Sequence, residues 1–475
     1  MGEKHMNKQL TILHTNDLHA SYDQALRQAA YIKKRVREME ANGESFLLVD
    51  GGDHMDMSIN ECLATDGRMH LEMLAETGYH AMSVGNNELL RSTPELIRKL
   101  SLQSSVPWLL SNLVEGDGST IGGVKESLIL TAADGTKVGL FGATDQFEDL
   151  YENKHGFKNL DTLKTIEEIT ARLKDDGADL IIFLSHLGFG ADQEMAKEIS
   201  GSVDLIIGAH SHTVLETPVI ESGIPIVQAG SHGIYVGELS LHLKVDNEGR
   251  HTIDSCEGKL IEISPDSEVD PVMEAILEKG RKETDQFLSE VLFTTSEPLS
   301  HANVIQLMAD SLRNRWNTEI GIMYGGGAVS GMEAGDVTKG SVLNTCKSMH
   351  SPVLMELQGK NITKLIEESY KNEITSKPVY GNGFRPHGIP IGTLAFSGVE
   401  WEAEDGIISN IKVNGKELEE KRLYKIGTGS PMLYEEVCGY SAVKENTLID
   451  LGKNEMVKDV FLNYLKTLLN PSVSI

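Results

Sequence analysis

Along the first 260 residues, short apolar runs alternate with stretches whose polar residues recur on one side of a helical repeat. The runs are LTIL (10–13), FLLV (46–49), AMSV (81–84), KVGLFG (137–142), DLIIFL (179–184), VDLIIG (203–208) and IPIVQA (224–229). Runs this short and this apolar, separated by helical patterns, predict strands buried on both faces of an α/β sheet. Residues 24–41 and 161–176 have the spacing of amphipathic helices, with one apolar face to cover such a sheet.

Beyond residue 235 the pattern changes. Residues 235–263 read as antiparallel strands that close a first domain, and 267–290 as one polar amphipathic helix starting near a Ser or Asp cap. The remainder mixes helical stretches (302–316, 361–371, 455–468) with strands and glycine-containing turns. A chain of 475 residues exceeds one ordinary domain. The expected organisation is a first domain over 1–265, a linker helix over 266–290 and a second α/β domain over 291–475.

Charge narrows the range of partners. With 43 basic and 71 acidic residues the net charge is −28, which disfavours a nucleic-acid polymer or an anionic membrane. A small anionic substrate is compatible with that charge only where bound cations reverse the local field. No 18-residue apolar run is present, and the first residues do not resemble a secretory signal. The four cysteines (Cys62, Cys256, Cys346, Cys438) lie far apart, as reduced thiols do, so a cytoplasmic protein is expected.

The chemistry gathers where the strands end. Strand 10–13 runs into His14-Thr15-Asn16-Asp17-Leu18-His19, and strand 46–49 into Asp50-Gly51-Gly52-Asp53. Strand 81–84 runs into Gly85-Asn86-Asn87-Glu88, strand 179–184 into Ser185-His186, and strand 203–207 into Gly208-Ala209-His210-Ser211-His212. In open α/β sheets the carboxyl ends of the strands are where ligands bind. Asp17, His19, Asp53, Asn86, His186, His210 and His212 supply a mixed oxygen and nitrogen set suited to Zn²⁺, Mn²⁺, Fe or Co rather than Ca²⁺. Seven ligands exceed the needs of one tetrahedral ion, so two divalent metals sharing a bridging carboxylate are expected, roughly 3.5–4 Å apart. Such a pair activates a water and holds the oxygens of a phosphate in an in-line displacement.

These five blocks resemble the calcineurin-like metallophosphoesterases, whose pattern is D-x-H, G-D, G-N-H-[DE], H and G-H-x-H. The opening ILHTNDLH (12–19) and a second domain after a linker helix are similar to the 5′-nucleotidase family within that group. The resemblance implies a four-layer β-sandwich flanked by helices, followed by an α/β substrate domain that rotates against it. It also implies Asp17, His19 and His212 around the first metal, Asp53 bridging, and Asn86, His186 and His210 around the second. The metals implied are Mn, Zn, Fe, Co or Mg.

The sequence departs from the family at three places. The family's transition-state histidine is Asn87 here, and the Asp that orients it is Leu90. An amide donates a hydrogen bond but carries no charge and yields no proton, a change that slows such reactions by about 10²–10⁴-fold unless another group substitutes. His54, beside Asp53, is either that substitute or a loop histidine without a role. The C-terminal glycine motif, Gly325-Gly326-Gly327, is followed by Ala328-Val329 rather than by the family's Ile-Arg, and Tyr324 precedes it in place of Asn. Arg385 is the candidate replacement for the missing Arg. The family clamps the base between two aromatics; Tyr440 stands where one would lie and Thr393 where the other would. Phe384 is one candidate to compensate and Trp401 another, although core packing also accounts for Trp401. The G-N-N-E form is similar to a YunD-like bacterial subgroup.

The expected reaction is metal-dependent hydrolysis of a phosphate monoester, a nucleotide, in the cleft between the domains, with hydroxide formed at the metals attacking phosphorus. Two alternatives stay open. One is a phosphoesterase acting on a cyclic nucleotide or sugar phosphate, and the other is a catalytically degenerate sensor that binds metal and nucleotide.

Overall fold

The structure is a computed structural model and describes residues 8–147, 150–245, 251–346, 350–379, 388–404, 407–452 and 455–468. The chain divides into two compact units, Met1–Thr284 and Asp285–Ile475.

The first unit is built on two six-stranded sheets. One runs His251–Glu262, Tyr235–Val245, Lys8–Thr15, Ser45–Asp50, Ala81–Ser83, Trp108–Leu109. The other runs Val219–Glu221, Ile224–Val227, Leu205–Gly208, Leu180–His186, Lys137–Thr144, Ser127–Thr131. Each expected apolar run is a strand, and four neighbouring strands of each sheet run parallel. Lys8–Thr15, Ser45–Asp50, Ala81–Ser83 and Trp108–Leu109 are parallel in the first sheet. Lys137–Thr144, Leu180–His186, Leu205–Gly208 and Ile224–Val227 are parallel in the second. Tyr235–Val245 and His251–Glu262 form the expected antiparallel pair, and Tyr235–Val245 lies against Lys8–Thr15.

Period-two alternation explains the layering. Leu10, Ile12, Leu47 and Val49 of the first sheet meet Val138, Leu140, Ile182, Leu184 and Ile207 of the second in one buried cluster. The other face of the second sheet, with Phe141, Phe183 and Ile206, packs on Ile166, Ile169 and Leu173 of helix Thr162–Asp175 and on Ala196 of helix Phe189–Glu198. Because both faces are covered, these strands have no polar side. That is why they read as continuous apolar runs.

Helix Pro271–Leu288 starts at Asp270, whose side chain accepts from the N–H groups of Val272 and Met273 at 3.1 and 3.0 Å. The division between the units falls within this helix. The second unit has a five-stranded sheet in the order Leu394–Ser397, Ile320–Tyr324, Leu423–Gly429, Pro352–Gln358, Thr447–Leu451. Helix His301–Trp316 covers it and packs against helix Val457–Leu468. Among the described residues, no helix is long and apolar enough to cross a membrane.

The outer core of the second sheet turns on one aromatic pair. The rings of Phe141 and Phe183 are fully buried and stacked at 4.7 Å with an interplanar angle of 6°. Phe183→Ala is expected to destabilise the first unit by about 3–5 kcal/mol, because the cavity cannot collapse between two rigid layers. Denaturant unfolding measures it, and a loss under about 1 kcal/mol contradicts this packing.

Candidate metal centre

Parallel strands release their carboxyl ends at the same edge, and all seven expected ligands lie at those ends or in the segments just beyond them. The side chains form two groups. The ligating atoms of Asp17, His19 and His212 lie within 4.8 Å of one another, and so do those of Asp53, His186 and His210. In the first group His19 Nε2 faces His212 Nε2 at 2.9 Å, with Asp17 Oδ1 at 3.8 and 3.5 Å from them. In the second, Asn86 Oδ1 lies 2.8 Å from His210 Nδ1 and 3.2 Å from His186 Nε2. Asp53 reaches both groups: Oδ1 is 3.3 Å from His186 Nε2 and Oδ2 is 3.8 Å from His19 Nε2.

The donor set fits divalent cations. Two imidazole nitrogens at 2.9 Å need either a proton or a cation between their lone pairs. Buried carboxylates need a positive partner, and Asp17 and Asp53 are both buried. The surrounding bonds aim the donors. His186 Nδ1 lies 2.9 Å from Gly51 O, which assigns the proton to Nδ1 and leaves Nε2 facing Asp53 and Asn86. Asn16 donates to Asp17 Oδ2 and to Gly230 O, each at 2.7 Å, and accepts from Ala229 N. The N–H of His210 donates to Asp17 Oδ2 at 2.9 Å.

The backbone is bent to bring these groups together. Asp17 (φ 52°), His19 (50°), Asp53 (54°), His210 (71°) and His212 (56°) all adopt the left-handed conformation, which L residues disfavour. Sparsely populated conformations gathered in one place mark a functional site. Gly85 is required by close approach: a Cβ there would lie 2.1 Å from Asp53 Oδ1.

Electrostatics follow from burial. Burial alone would raise the Asp53 carboxyl, but the charges of His186 and His19 and the N–H of Asn87 outweigh it and hold Asp53 below the usual carboxylate range. Burial would lower His186, yet Asp53, Asp17 and the Gly51 carbonyl carry it up to about 10. The same field that draws a proton onto His186 draws a divalent cation, which competes with that proton. Burial lowers His19 and His210, whereas the hydrogen bond to Asp17 raises His212.

The residues read for other roles are placed as follows. The N–H of Asn87 donates to Asp53 Oδ1 at 2.7 Å, and its side-chain amide donates to Asp53 Oδ2 and lies 3.3 Å from His19 Nδ1. His54 joins neither metal group. Its Nδ1 pairs with His70 Nδ1 at 3.0 Å, and His70 Nε2 pairs with Tyr22 Oη at 2.8 Å. Burial lowers His54 to about 3, so it is a neutral ring in a buried chain of hydrogen bonds. In the second unit, Gly326 N donates to Ile391 O at 2.8 Å, and a Cβ on Gly326 would lie 2.5 Å from Pro390 O. Tyr440 is fully buried and donates to Gly392 O at 2.9 Å. In this conformation its ring is enclosed by the protein rather than open to a ligand. Arg385 and Phe384 lie outside the described residues.

Three groups at the metal centre were given no role from the sequence. Asp145 follows strand Lys137–Thr144, and its Oδ2 lies 3.6 Å from His210 Nε2. His232 follows strand Ile224–Val227; its ring centroid is 5.3 Å from His19 and 5.8 Å from His212, and its N–H donates to Asp17 O at 2.7 Å. Both could have been found by following every parallel strand, rather than five of them, to its carboxyl end. Glu88 is the third. Fully buried, it accepts from the N–H groups of Asp53 (2.9 Å), Met55 (2.8 Å) and Gly85 (2.9 Å), while burial and Asp53 push it up to about 8.

Glu88 therefore fixes the turn that aims Asp53. Glu88→Ala strands three buried N–H donors, each costing about 1–3 kcal/mol. The expected result is a lower melting temperature and reduced bound metal by elemental analysis. A variant with unchanged metal content contradicts this role.

Residues 10–214 match the model of the calcineurin-like phosphoesterase family, and residues 284–438 match that of the 5′-nucleotidase C-terminal domain. The metallophosphoesterase YunD of Bacillus subtilis is 26% identical over 431 residues, covering 89% of this chain and 92% of its own. A 5′-nucleotidase of Diplobatis ommata is 26% identical, covering 96% of this chain and 87% of its own. The crystal structure of a putative 5′-nucleotidase from Staphylococcus aureus superposes with a TM-score of 0.62 at 17% identity, covering 96% of each chain. The chain is an enzyme that joins a calcineurin-like phosphoesterase domain to a 5′-nucleotidase C-terminal domain, and it belongs to the metallophosphoesterases of that two-domain type.

Proposed function

We propose that this metallophosphoesterase hydrolyses the phosphate monoester of a nucleotide, with Asp17, His19 and His212 holding one divalent cation and Asn86, His186 and His210 a second, while Asp53 touches both. The observation that carries this reading is the position of Asp53, whose two oxygens face different imidazole groups at 3.3 and 3.8 Å. Cations held there would polarise the phosphate oxygens and lower the pKa of a bound water. The protein's own part is to fix the donors before substrate arrives. Asn87 offers an N–H beside Asp53 and His19, where a phosphate oxygen would accept it, but it supplies no proton. The nucleotide part of the reading is supported by the C-terminal family match and by the 5′-nucleotidase among the relatives. A cytoplasmic setting is supported by four cysteines that are all free thiols.

The test is a phosphate-release screen over 5′-nucleotides, cyclic nucleotides and sugar phosphates with added Mn²⁺, Zn²⁺, Mg²⁺ or Co²⁺. Release from 5′-nucleotides is expected, and release from sugar phosphates alone contradicts the substrate class. Asp53→Asn is expected to abolish turnover on every substrate, including a generic aryl phosphate, because its carboxylate reaches both groups. An active Asp53→Asn enzyme overturns the bridging assignment.

A further inference from the structure

Between strands Ile224–Val227 and Tyr235–Val245 the chain passes through the turn Gly230-Ser231-His232-Gly233. Gly230 (φ 68°), His232 (58°) and Gly233 (70°) are all left-handed. Glycine takes that conformation freely, whereas His232 is held in it by the bonds around the turn. The turn leaves the second sheet but is pinned to the segment that leaves the first. Asn16 Nδ2 donates to Gly230 O at 2.7 Å, His232 N donates to Asp17 O at 2.7 Å, and Gln24 Nε2 donates to Gly233 O at 3.3 Å. The backbone of His232 is thus bonded directly to that of Asp17, a member of the first metal group.

The ring stands on the exposed side of that group. Its centroid is 5.3 Å from the His19 ring at an interplanar angle of 33°, and 5.8 Å from the His212 ring at 90°. His232 and His212 are exposed, unlike the buried Asp17 and Asp53. His232 Nδ1 lies 2.8 Å from Ser231 Oγ. A hydroxyl donating there assigns the ring proton to Nε2 and makes that nitrogen a donor beside the metal centre.

The two metal groups differ in what borders them. Beside the second stands a carboxylate: Asp145 Oδ2 is 3.6 Å from His210 Nε2, and the Asp145 side chain is 42% exposed. A carboxylate repels the oxygens of a phosphate, whereas an imidazole N–H attracts them. Asn87 and His232 both lie against His19. The Asn87 amide is 3.3 Å from His19 Nδ1, and His232 meets the same residue ring to ring. One phosphate held at the first group could therefore meet both donors.

We propose that His232 is a catalytic residue, whose imidazole donates a hydrogen bond to an oxygen of the phosphate ester bound at the first metal group. The proposal rests on the reading of the metal centre above but not on the nucleotide, because every phosphate monoester offers the same oxygens. A donor fixed before the substrate arrives stabilises the charge that grows on those oxygens during displacement. The left-handed turn is what fixes this one.

The test compares two variants of the full chain loaded with Mn²⁺. Asn at position 232 tolerates the left-handed backbone, but its amide ends short of the place of Nε2. Gln at the same position carries an amide N–H about as far out as Nε2. Inorganic phosphate is titrated by calorimetry, hydrolysis of a generic aryl phosphate is measured alongside, and bound metal is counted by elemental analysis. His232→Asn is expected to weaken phosphate binding by about ten-fold and to lower kcat/KM by about 10²-fold, with bound metal unchanged. His232→Gln should recover most of both. Phosphate binding and kcat/KM unchanged in His232→Asn overturn the proposal. A loss matched by loss of metal overturns it too, because His232 would then act only through His19 or His212. A Gln variant no better than the Asn variant also contradicts a hydrogen-bond donor. Aryl phosphate hydrolysis that depends on His232, without release from any nucleotide, would sink the nucleotide reading and leave this contact standing.

Discussion

Everything at the metal centre depends on where one buried carboxylate is held. Asp53 sits between two sets of imidazoles, and each of its oxygens faces a different set. A carboxylate out of water needs positive charge on both sides, and here the histidines face it on both sides, where bound cations would add to it. Holding it there requires a turn with left-handed residues at Gly52 and Asp53, a bare Gly85 against its oxygen, and the buried Glu88 gripping three N–H groups around it. Those bonds secure a strained turn that an unsupported loop would relax.

The two sheets bring the donors within reach. Parallel strands emerge side by side, so their carboxyl ends lie at one edge, and two sheets packed face to face bring two such edges together. Asp17, His19 and Asp53 come from one sheet, as does Asn86; His186, His210 and His212 come from the other. Each metal group contains side chains from both sheets. Metal binding and sheet packing should therefore be coupled, because a bound cation would tie together side chains from both packed sheets.

The first unit was largely legible in the sequence. Buried parallel strands have no polar face, so seven of the eight appeared as apolar runs, five of them with an expected ligand at or just beyond the end. The resemblance to a known family then implied two ligand sets, and the folded chain gathers Asp17, His19 and His212 in one place and Asp53, His186 and His210 in another. What pattern reading could not supply was direction. His54 follows Asp53 in sequence, but its ring turns away to His70 and Tyr22. Tyr440 aligns with a stacking aromatic, yet it is buried and spends its hydroxyl on Gly392. Neither orientation follows from residue type or spacing. Asp145 and His232 had the right type and the right place, at the ends of two parallel strands, but no recognisable motif around them.

The central claim is that one carboxylate joins two metal sites. Electron paramagnetic resonance of the Mn²⁺-loaded protein tests it directly, because two ions sharing a bridging ligand couple magnetically. The spectrum of an exchange-coupled pair, at two ions per chain, is the expected result. Two uncoupled Mn²⁺ signals, or a single ion at saturation, would contradict it.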